Sequence, residues 1–347
     1  MESAGFDALF PAEKLAVHGY AEALRHYREI SGIRKALLKR LLRDRPDVFI
    51  GVDAPDFNLW LERKLKRAGI RVIHYVSPSI WAWRGGRIRK IGQAVDRILA
   101  LFPFEPEIYQ RAGIPVTYVG HPLADTIARD SDQCAYRALL ELPKDQLVFA
   151  LLPGSRRSEL RHMADLVIDT AALLHQRFPD ALFLVPLATA ETRDMFQQAL
   201  ARSEERTSLP IRVLYGHAQQ AMAASDASLV TSGTATLEAA LVKAPHVIAY
   251  RMANLSWQLM KRMGYLPWVG LPNILSRRFV VPEFLQDDAT AENIAQALGN
   301  LVEDKVVCGR LRARFDHIHE TLQQNTAEKA AEAVLSLLPP GAWHAQG

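Results

Sequence analysis

The sequence predicts an α/β protein built from two tandem, doubly wound sheets of mostly parallel strands. Short β-branched runs alternate with longer stretches of helical spacing, which is the pattern of strands covered by helices on both faces. The alternation occurs twice, before and after a polar stretch at 124–145, and 347 residues are enough for two such units. Because these sheets bind ligands at the carboxyl ends of their strands, two facing sheets predict a ligand cleft between them.

The predicted elements follow the chain in order. In the first unit we expect strands at 47–52, 71–77, 97–102 and 116–120, and helices at 24–45 and 58–68. In the second unit we expect strands at 147–152, 181–186, 211–214, 227–231 and 246–250, and helices at about 159–177 and through most of 290–337. The corresponding domains are residues 1–140, residues 141–320, and a C-terminal helix and tail at 321–347.

Composition narrows the classes of protein. Apolar residues make up 49% and charged residues 23% of the chain, the balance of a soluble globular protein. No apolar run reaches the roughly 18 residues of a membrane span, and the first residues lack the basic and then apolar pattern of a secretory signal. Two cysteines, Cys134 and Cys308, are too few for a Cys-based zinc site or a disulfide scaffold and fit a reducing cytosol.

The net charge of +4 is unevenly distributed. Residues 1–130 contain 21 Lys and Arg against 15 Asp and Glu, whereas the rest of the chain is slightly acidic. A basic first unit suits an anionic membrane, a phosphorylated substrate or nucleic acid. Ordinary solvated helix faces are the alternative explanation.

The first candidate anion site is the turn after the strand at 147–152. Gly154 and Ser155 form a strand-to-helix turn whose backbone N–H groups can cradle an anion, and Arg156 can clamp a phosphate. The turn lacks the Gly-Lys-Ser/Thr of a Walker A loop. A plain turn with a surface arginine is the alternative.

A second turn of the same kind follows the strand at 227–231. Ser232, Gly233 and Thr234 lie at a helix N-terminus, where free N–H groups and the helix dipole attract a diphosphate. Glu238, one turn further on, can accept hydrogen bonds from ribose hydroxyls. Ordinary helix caps are the alternative here, but two such turns in one unit favour a nucleoside diphosphate.

A candidate base lies in the first unit. Asp53 follows the strand at 47–52, where a carboxylate facing the cleft can deprotonate a hydroxyl. Asp56 is better explained as a helix-capping residue, and a capping or loop role is also open for Asp53.

An aromatic and basic loop follows the strand at 71–77. It contains Trp81, Trp83, Arg84 and Arg87, a combination that suits phosphate and acyl chains at a membrane surface. Base stacking is a competing function, and core tryptophans with solvated arginines are the structural alternative. In the second unit, Asn273 either lines the cleft or stabilises a turn.

Other sequence patterns give little evidence for a function. His121 is best explained as a structural histidine, and Asp130-Ser-Asp132 resembles a DxD metal motif but lies in the polar linker. The sequence has no clustered metal ligands, no Gly-x-Ser-x-Gly elbow and no Gly-x-Gly-x-x-Gly fingerprint. We therefore predict neither a metal nor a cofactor.

Taken together, these motifs resemble the lipid-A-disaccharide synthase family, inverting glycosyltransferases of Gram-negative bacteria with two Rossmann-like domains of GT-B type. The stretches that match, in order along nearly the whole chain, are 46–58, 74–84, 100–105, 118–125, 151–156, 232–238 and 271–273. The run Ser-Pro-Ser-Ile-Trp-Ala-Trp-Arg at 77–84 is highly specific, whereas Pro-Gly-Ser-Arg alone is not.

The resemblance implies a reaction and its residues. The family joins UDP-2,3-diacylglucosamine to 2,3-diacylglucosamine 1-phosphate, giving a β-1,6-linked disaccharide 1-phosphate and UDP in lipid A biosynthesis. By resemblance Asp53 is the essential aspartate, Arg156 contacts the diphosphate, and Gly233, Thr234, Glu238 and Asn273 belong to the UDP pocket. It also implies a peripheral protein on the cytoplasmic face of the inner membrane, and it leaves homodimerisation open.

One departure from the family concerns the start of the chain. The family's N-terminal strand, Gly-rich loop and helix precede the part that matches here, so we expect an N-terminally truncated first sheet with an open apolar edge. A start assigned too far downstream, a truncated chain and a shortened variant remain open. So do two other functions, another UDP-sugar transferase or epimerase and UDP binding without turnover. Nucleic-acid binding is disfavoured because no recognised motif is present.

Overall fold

Two parallel sheets form the framework of the protein. The structure, a computed structural model, describes residues 20–338 apart from 83–84, 254–256 and 259–265, with side chains from residue 28 onward. The first sheet has the order β1-β2-β3-β4 and the second the order β10-β9-β8-β5-β6-β7, with every paired strand parallel. The strands are β1 Val48–Val52, β2 Arg71–Tyr75, β3 Arg97–Ala100, β4 Val116–Tyr118, β5 Val148–Leu152, β6 Leu182–Leu187, β7 Ile211–Tyr215, β8 Ala227–Thr231, β9 His246–Tyr250 and β10 Glu283–Leu285.

Helices connect successive strands. They are α1 Tyr20–Asp44, α2 Pro55–Arg67, α3 Ile88–Gly92, α4 Glu105–Arg111, α5 Pro122–Thr126, α6 Gln133–Leu139, α7 Arg157–Arg177, α8 Ala190–Leu200, α9 Glu204–Thr207, α10 Ala218–Ala224, α11 Thr234–Leu241, α12 Leu271–Ser276, α13 Ala291–Glu303, α14 Lys305–Leu322 and α15 Thr326–Leu335. Short 3₁₀ helices cover Gly85–Arg87 and Gln286–Asp288. Among the described helices, none is long and apolar enough to cross a bilayer.

The predicted α/β class and all nine predicted strands are confirmed. The sequence analysis did not predict β10, which has three residues and follows a proline. The sequence analysis also assigned 124–145 to a polar junction, although this stretch contains the end of α5 and all of α6. Both helices begin at a side-chain cap, because His121 accepts a hydrogen bond from the Leu123 N–H and Asp132 accepts one from the Cys134 N–H.

The second sheet has the more continuous core. Every residue of β5 and β8 is buried, as expected for central strands covered by helices on both faces. In the first sheet β1 pairs on one side within the described residues, and Ile50 and Val52 are 41% and 47% exposed. Among the described residues β1 is therefore an edge strand with two exposed apolar side chains, and the truncation of this sheet stays a prediction.

The chain leaves the first sheet for the second near residue 125 and returns near residue 325, and these two crossings contact each other. After α14 it returns to the first sheet, where the Asp125 carboxylate accepts hydrogen bonds from the backbone N–H groups of 324–326 at 2.7–3.1 Å. Gly120 permits this approach, because a Cβ there would lie 2.6 Å from the Leu322 carbonyl oxygen. Arg97 then donates to the Ala333 carbonyl in α15 at 3.1 Å, so the last helix packs on the first sheet.

Candidate functional site

A cleft of about 360 Å³ opens at the carboxyl ends of the central strands of the second sheet. Seven residues predicted from the sequence line it, namely Gly154, Ser155, Arg156, Ser232, Gly233, Thr234 and Glu238. The chain ends of β6 and β7 contribute further lining residues that the sequence analysis did not single out, namely Leu187, Ala188 and Gly216. The structure thus brings the two turns together, as expected for adjacent strands β5 and β8.

The turn before α7 differs from the prediction. The Glu159 side chain folds back, and its Oε2 accepts hydrogen bonds from the Ser155 and Arg156 N–H groups at 3.0 and 3.2 Å. Gly154, at φ 108°, allows this close approach, since a Cβ there would lie 2.6 Å from the Glu159 side chain. The expected anion cradle is already occupied by a carboxylate of the chain itself, which caps the helix. The cationic group that this turn presents to a ligand is the Arg156 guanidinium, whose side chain is 56% exposed and whose Nη1 lies 3.6 Å from Glu159 Oε1.

The turn before α11 is open. Gly233 adopts φ 144° and ψ −160°, and no side chain caps α11 within the described structure. A Cβ at Gly233 would meet no atom within 4 Å, so a ligand can approach the backbone closely. The N–H groups of Thr234 and Ala235 have no partner in the described part of the chain, and both residues line the cleft. Of the two predicted cradles, this one is geometrically available to a diphosphate.

Glu238 also lines the cleft. Its carboxyl is half-buried, and this burial raises its pKa above the ordinary value. It lies on the first turns of α11, close to the open N-terminus. A carboxylate in this position can accept hydrogen bonds from vicinal hydroxyls of a ligand whose phosphates lie at the helix start.

Asn273 is not brought to the cleft. It is fully buried in α12, where its Oδ1 accepts from the Val280 and Val281 N–H groups at 2.7 and 2.9 Å. Its Nδ2 donates to the Val281 carbonyl and to Glu283 Oε1 at 2.8 and 2.7 Å. The turn role, which the sequence left open, is the role that this geometry supports.

Asp53 lies in an unusual loop at the end of β1. Asp53 and Ala54 both adopt left-handed conformations, with φ of 48° and 42°, although neither is glycine. The Asp53 N–H donates to the Tyr75 carbonyl at 2.9 Å, and the side chain is exposed at the carboxyl edge of the first sheet. Asp56, in the first turn of α2, instead forms an ion pair with Arg87.

The aromatic and basic loop is only partly described. Trp83 and Arg84 lie outside the described residues. Trp81 was expected to face the acceptor or the membrane, but it is half-buried and packs edge-on against Phe102 and Phe104 at centroid distances of 6.1 and 5.2 Å. This prediction is corrected because the indole N–H donates to the buried Glu105 at 3.0 Å, which draws the ring inward.

Comparison with known proteins identifies the family. A family model described as lipid-A-disaccharide synthetase matches residues 1–337. The chain belongs to this family. A lipid-A-disaccharide synthase of Azoarcus sp. (strain BH72) is 60% identical over 342 residues, covering 99% of this chain and 87% of the relative. One from Aromatoleum aromaticum is 59% identical over 338 residues, covering 97% and 86%.

Solved structures agree on the fold. The UDP-GlcNAc 2-epimerase of Neisseria meningitidis, solved with UDP-GlcNAc, aligns with a TM-score of 0.60 at 14% identity, over 92% of this chain and 83% of its own. The enzyme of the same name from Methanocaldococcus jannaschii aligns with a TM-score of 0.54 at 14% identity, over 90% and 81%. This member of the synthase family therefore has the predicted GT-B architecture of two Rossmann-like domains.

In this member of the synthase family, the sequence analysis did not predict the structural role of Glu105, whose carboxylate accepts several hydrogen bonds. Its Oε2 accepts from the Leu101 and Phe102 N–H groups at 3.0 and 2.9 Å, while Oε1 accepts from Trp81. Burial raises the pKa of the Glu105 carboxyl from 4.5 to about 7 against the opposing effect of these hydrogen bonds. The signal available in the sequence was an acidic residue at the end of an apolar run, five residues after β3 ends.

The raised pKa of Glu105 predicts a pH-dependent stability. Because the folded state holds this proton more tightly than the unfolded chain, the stabilisation is present below pH 4.5 and is lost as pH rises to about 7. The shift corresponds to about 3 kcal/mol of unfolding free energy. We expect Glu105→Gln to lack this component in denaturant titrations from pH 4.5 to 7.5, whereas Glu107→Gln, at an exposed site on the same helix, retains it. Parallel curves for wild type and Glu105→Gln would contradict the prediction.

His121 and Asp132, one of the two aspartates of the DxD-like stretch, have structural partners. Burial lowers the pKa of His121 to about 4, so the ring is neutral at pH 7 while its Nδ1 caps α5. Asp132 caps α6 through a 2.9 Å hydrogen bond from the Cys134 N–H. In the part of the chain that the structure describes, no group of three or more His, Cys, Asp or Glu side chains is placed to hold a metal ion.

Proposed function

We propose that the chain catalyses the reaction of its family, the transfer of a diacylglucosamine group from UDP to the 6-hydroxyl of 2,3-diacylglucosamine 1-phosphate. The products are the β-1,6-linked disaccharide 1-phosphate of lipid A biosynthesis and UDP. The observation that carries the proposal is family membership across residues 1–337, with identities of 50–60% to lipid-A-disaccharide synthases. The open α11 turn supports it independently, because it suits a nucleoside diphosphate.

The donor occupies the cleft of the second sheet. Its diphosphate accepts hydrogen bonds from the N–H groups of Thr234 and Ala235, and the positive end of the α11 dipole faces the same charge. As the bond from the sugar to UDP breaks, negative charge grows on the β-phosphate. The Arg156 guanidinium is available to stabilise this charge from the opposite turn.

A residue of the first unit deprotonates the acceptor. Asp53 is the proposed general base, since its exposed carboxylate has no ion-pair partner in the described structure. It takes the proton of the acceptor 6-hydroxyl as the oxygen attacks the anomeric carbon from the face opposite UDP. A single displacement of this kind inverts the anomeric configuration.

The acyl chains of both substrates require access to a membrane. We propose peripheral binding at the cytoplasmic face of the inner membrane through the basic first unit. The basic residues of α1 support this, because Lys35, Lys39, Arg40 and Arg43 are exposed along one helix.

Turnover with both lipid substrates tests the proposal. We expect disaccharide 1-phosphate and stoichiometric UDP when the purified chain receives UDP-2,3-diacylglucosamine and 2,3-diacylglucosamine 1-phosphate. A second candidate is UDP-sugar epimerisation, favoured by the fold shared with UDP-GlcNAc 2-epimerases. Conversion of UDP-GlcNAc without an acceptor, and no disaccharide with both lipids, would select this second candidate.

The proposed ribose contact of Glu238 gives a binding prediction. We expect Glu238→Ala to weaken UDP binding by about 10- to 100-fold, as for the loss of a hydrogen bond to a charged group. The same substitution is expected to change the affinity for 2′,3′-dideoxy-UDP little, because this ligand lacks the ribose hydroxyls that Glu238 would contact. Isothermal titration calorimetry measures both, with Glu303→Ala, at an exposed glutamate paired with Arg177, as the control. Equal losses for the two ligands would exclude a ribose contact.

A further inference from the structure

A buried polar group lies beneath the loop that carries Asp53. It consists of Asn58 and Glu62 on one face of α2 and of His74 on β2, and we refer to it as the loop support. We propose that the loop support holds Asp53 in its reactive position, so that these three are positioning residues for glycosyl transfer. The inference rests on the proposed role of Asp53 as the base.

Asn58 contacts the loop directly. Its Nδ2 donates to the carbonyl oxygens of Val52 and Asp53 at 3.1 and 2.7 Å, and the residue is 8% exposed. Two hydrogen bonds from one buried amide fix the orientation of two successive peptide groups. The conformation at the end of β1 is therefore set by a side chain of the following helix.

The loop needs this restraint because its backbone is strained. Left-handed conformations at Asp53 and Ala54 are disfavoured for residues that have a Cβ. Without external hydrogen bonds, both residues would relax toward more common conformations, and the Asp53 carboxylate would move with them. Strain of this kind persists where the surrounding structure imposes it.

Glu62 and His74 brace the strand just before the loop. His74 Nδ1 donates to Glu62 Oε1 at 2.6 Å, and both side chains are completely buried. His74 is the β2 partner of Gly51 in the sheet register. A Cβ at Gly51 would lie 2.0 Å from Glu62 Oε1, so the carboxylate packs directly against the backbone two residues before Asp53.

The arrangement is more specific than core packing requires. Glu62 Oε2 and His74 Nε2 are both buried without a hydrogen-bond partner among the described residues. Buried polar atoms without partners destabilise a fold, so an apolar pair would suit stability alone better. Asn58 and Glu62 are four residues apart on α2 and therefore point to the same side, toward the end of β1.

Kinetics of Asn58→Asp test the inference. This nearly isosteric change replaces the donating amide by an oxygen that repels both carbonyls. We expect kcat for disaccharide formation to fall by about 10- to 100-fold, as for two lost hydrogen bonds. The Kd for UDP should stay within twofold, because the donor cleft lies on the other sheet. Gly51→Ala, which forces Glu62 away, is expected to give the same pattern.

Rescue distinguishes positioning from a general loss of structure. Ala54→Gly removes the penalty for a left-handed residue, so adding it to Asn58→Asp should restore kcat by about fivefold. Asn293→Asp is the matched control, since Asn293 Nδ2 also donates to a backbone carbonyl, that of Asp288, but at a surface turn of the second unit. We expect it to leave kcat unchanged. Should Asn58→Asp fail to fold, Asn58→Ser gives the same comparison.

Two results would overturn the inference separately from the proposed function. If Asp53→Asn is inactive while Asn58→Asp keeps full kcat, the loop support has no positioning role. If kcat and UDP affinity fall together and Ala54→Gly restores neither, the role of Asn58 is in folding alone. Full turnover by Asp53→Asn would instead remove the proposed base, and the inference with it.

Discussion

Asp53→Asn is expected to lower kcat for disaccharide formation by about 10³-fold, within the range for loss of a general base. Asparagine keeps the size of the side chain but cannot accept the proton of the acceptor hydroxyl. The Kd for UDP should not change, because Asp53 lies at the end of β1 and the donor cleft lies on the second sheet. Steady-state kinetics with saturating lipids and calorimetry with UDP measure the two effects separately.

Asp56→Asn is the matched control for this change. Asp56 is three residues away in the same segment, but its carboxylate pairs with Arg87. We expect a decrease in kcat of less than about tenfold, since the loss of an exposed ion pair costs little. Equal decreases for the two variants would show that the charge of the whole segment matters and would contradict a specific role for Asp53.

Most of the fold was predictable because its signals are local. Runs such as 148–152 and 227–231 are mostly apolar and are bounded by turns, so their strands are found from the sequence. β10 was missed because three residues are too few to show a pattern, and because it forms only by pairing with β9. α5 and α6 were missed because each depends on a cap at one residue rather than on a long periodic stretch.

The candidate site was less predictable because its contacts are between distant residues. Both turns have the composition of an anion cradle, yet Glu159 folds back to occupy one of them. The spacing of residues along the sequence does not predict that the Asn273 side chain contacts Val281 and Glu283 instead of lining the cleft. Trp81 is drawn inward by Glu105, 24 residues further along the chain. Such directions depend on tertiary structure, which a single sequence does not display.

Arg156→Ala is the second change for which we expect a large effect. Because Glu159 occupies the Ser155 and Arg156 N–H groups, the guanidinium is the cationic group that this turn offers the diphosphate. Loss of a cation that acts mainly on the charge of the leaving UDP should lower kcat by about 10²- to 10³-fold. UDP affinity should fall less, by about tenfold, because the open α11 turn still binds the phosphates. Single-turnover rates and calorimetry measure the two quantities.

The neighbouring residue provides the control that decides between a specific contact and a general field. Arg157→Ala removes the same charge one residue later, but Arg157 pairs with Glu191 at 2.9 Å and does not line the cleft. If only the summed positive charge at the start of α7 mattered, both variants would lose activity equally. If Arg156 contacts the diphosphate, Arg157→Ala should stay within threefold of wild type, and Arg156→Lys should recover part of the rate by restoring the charge without the bidentate geometry.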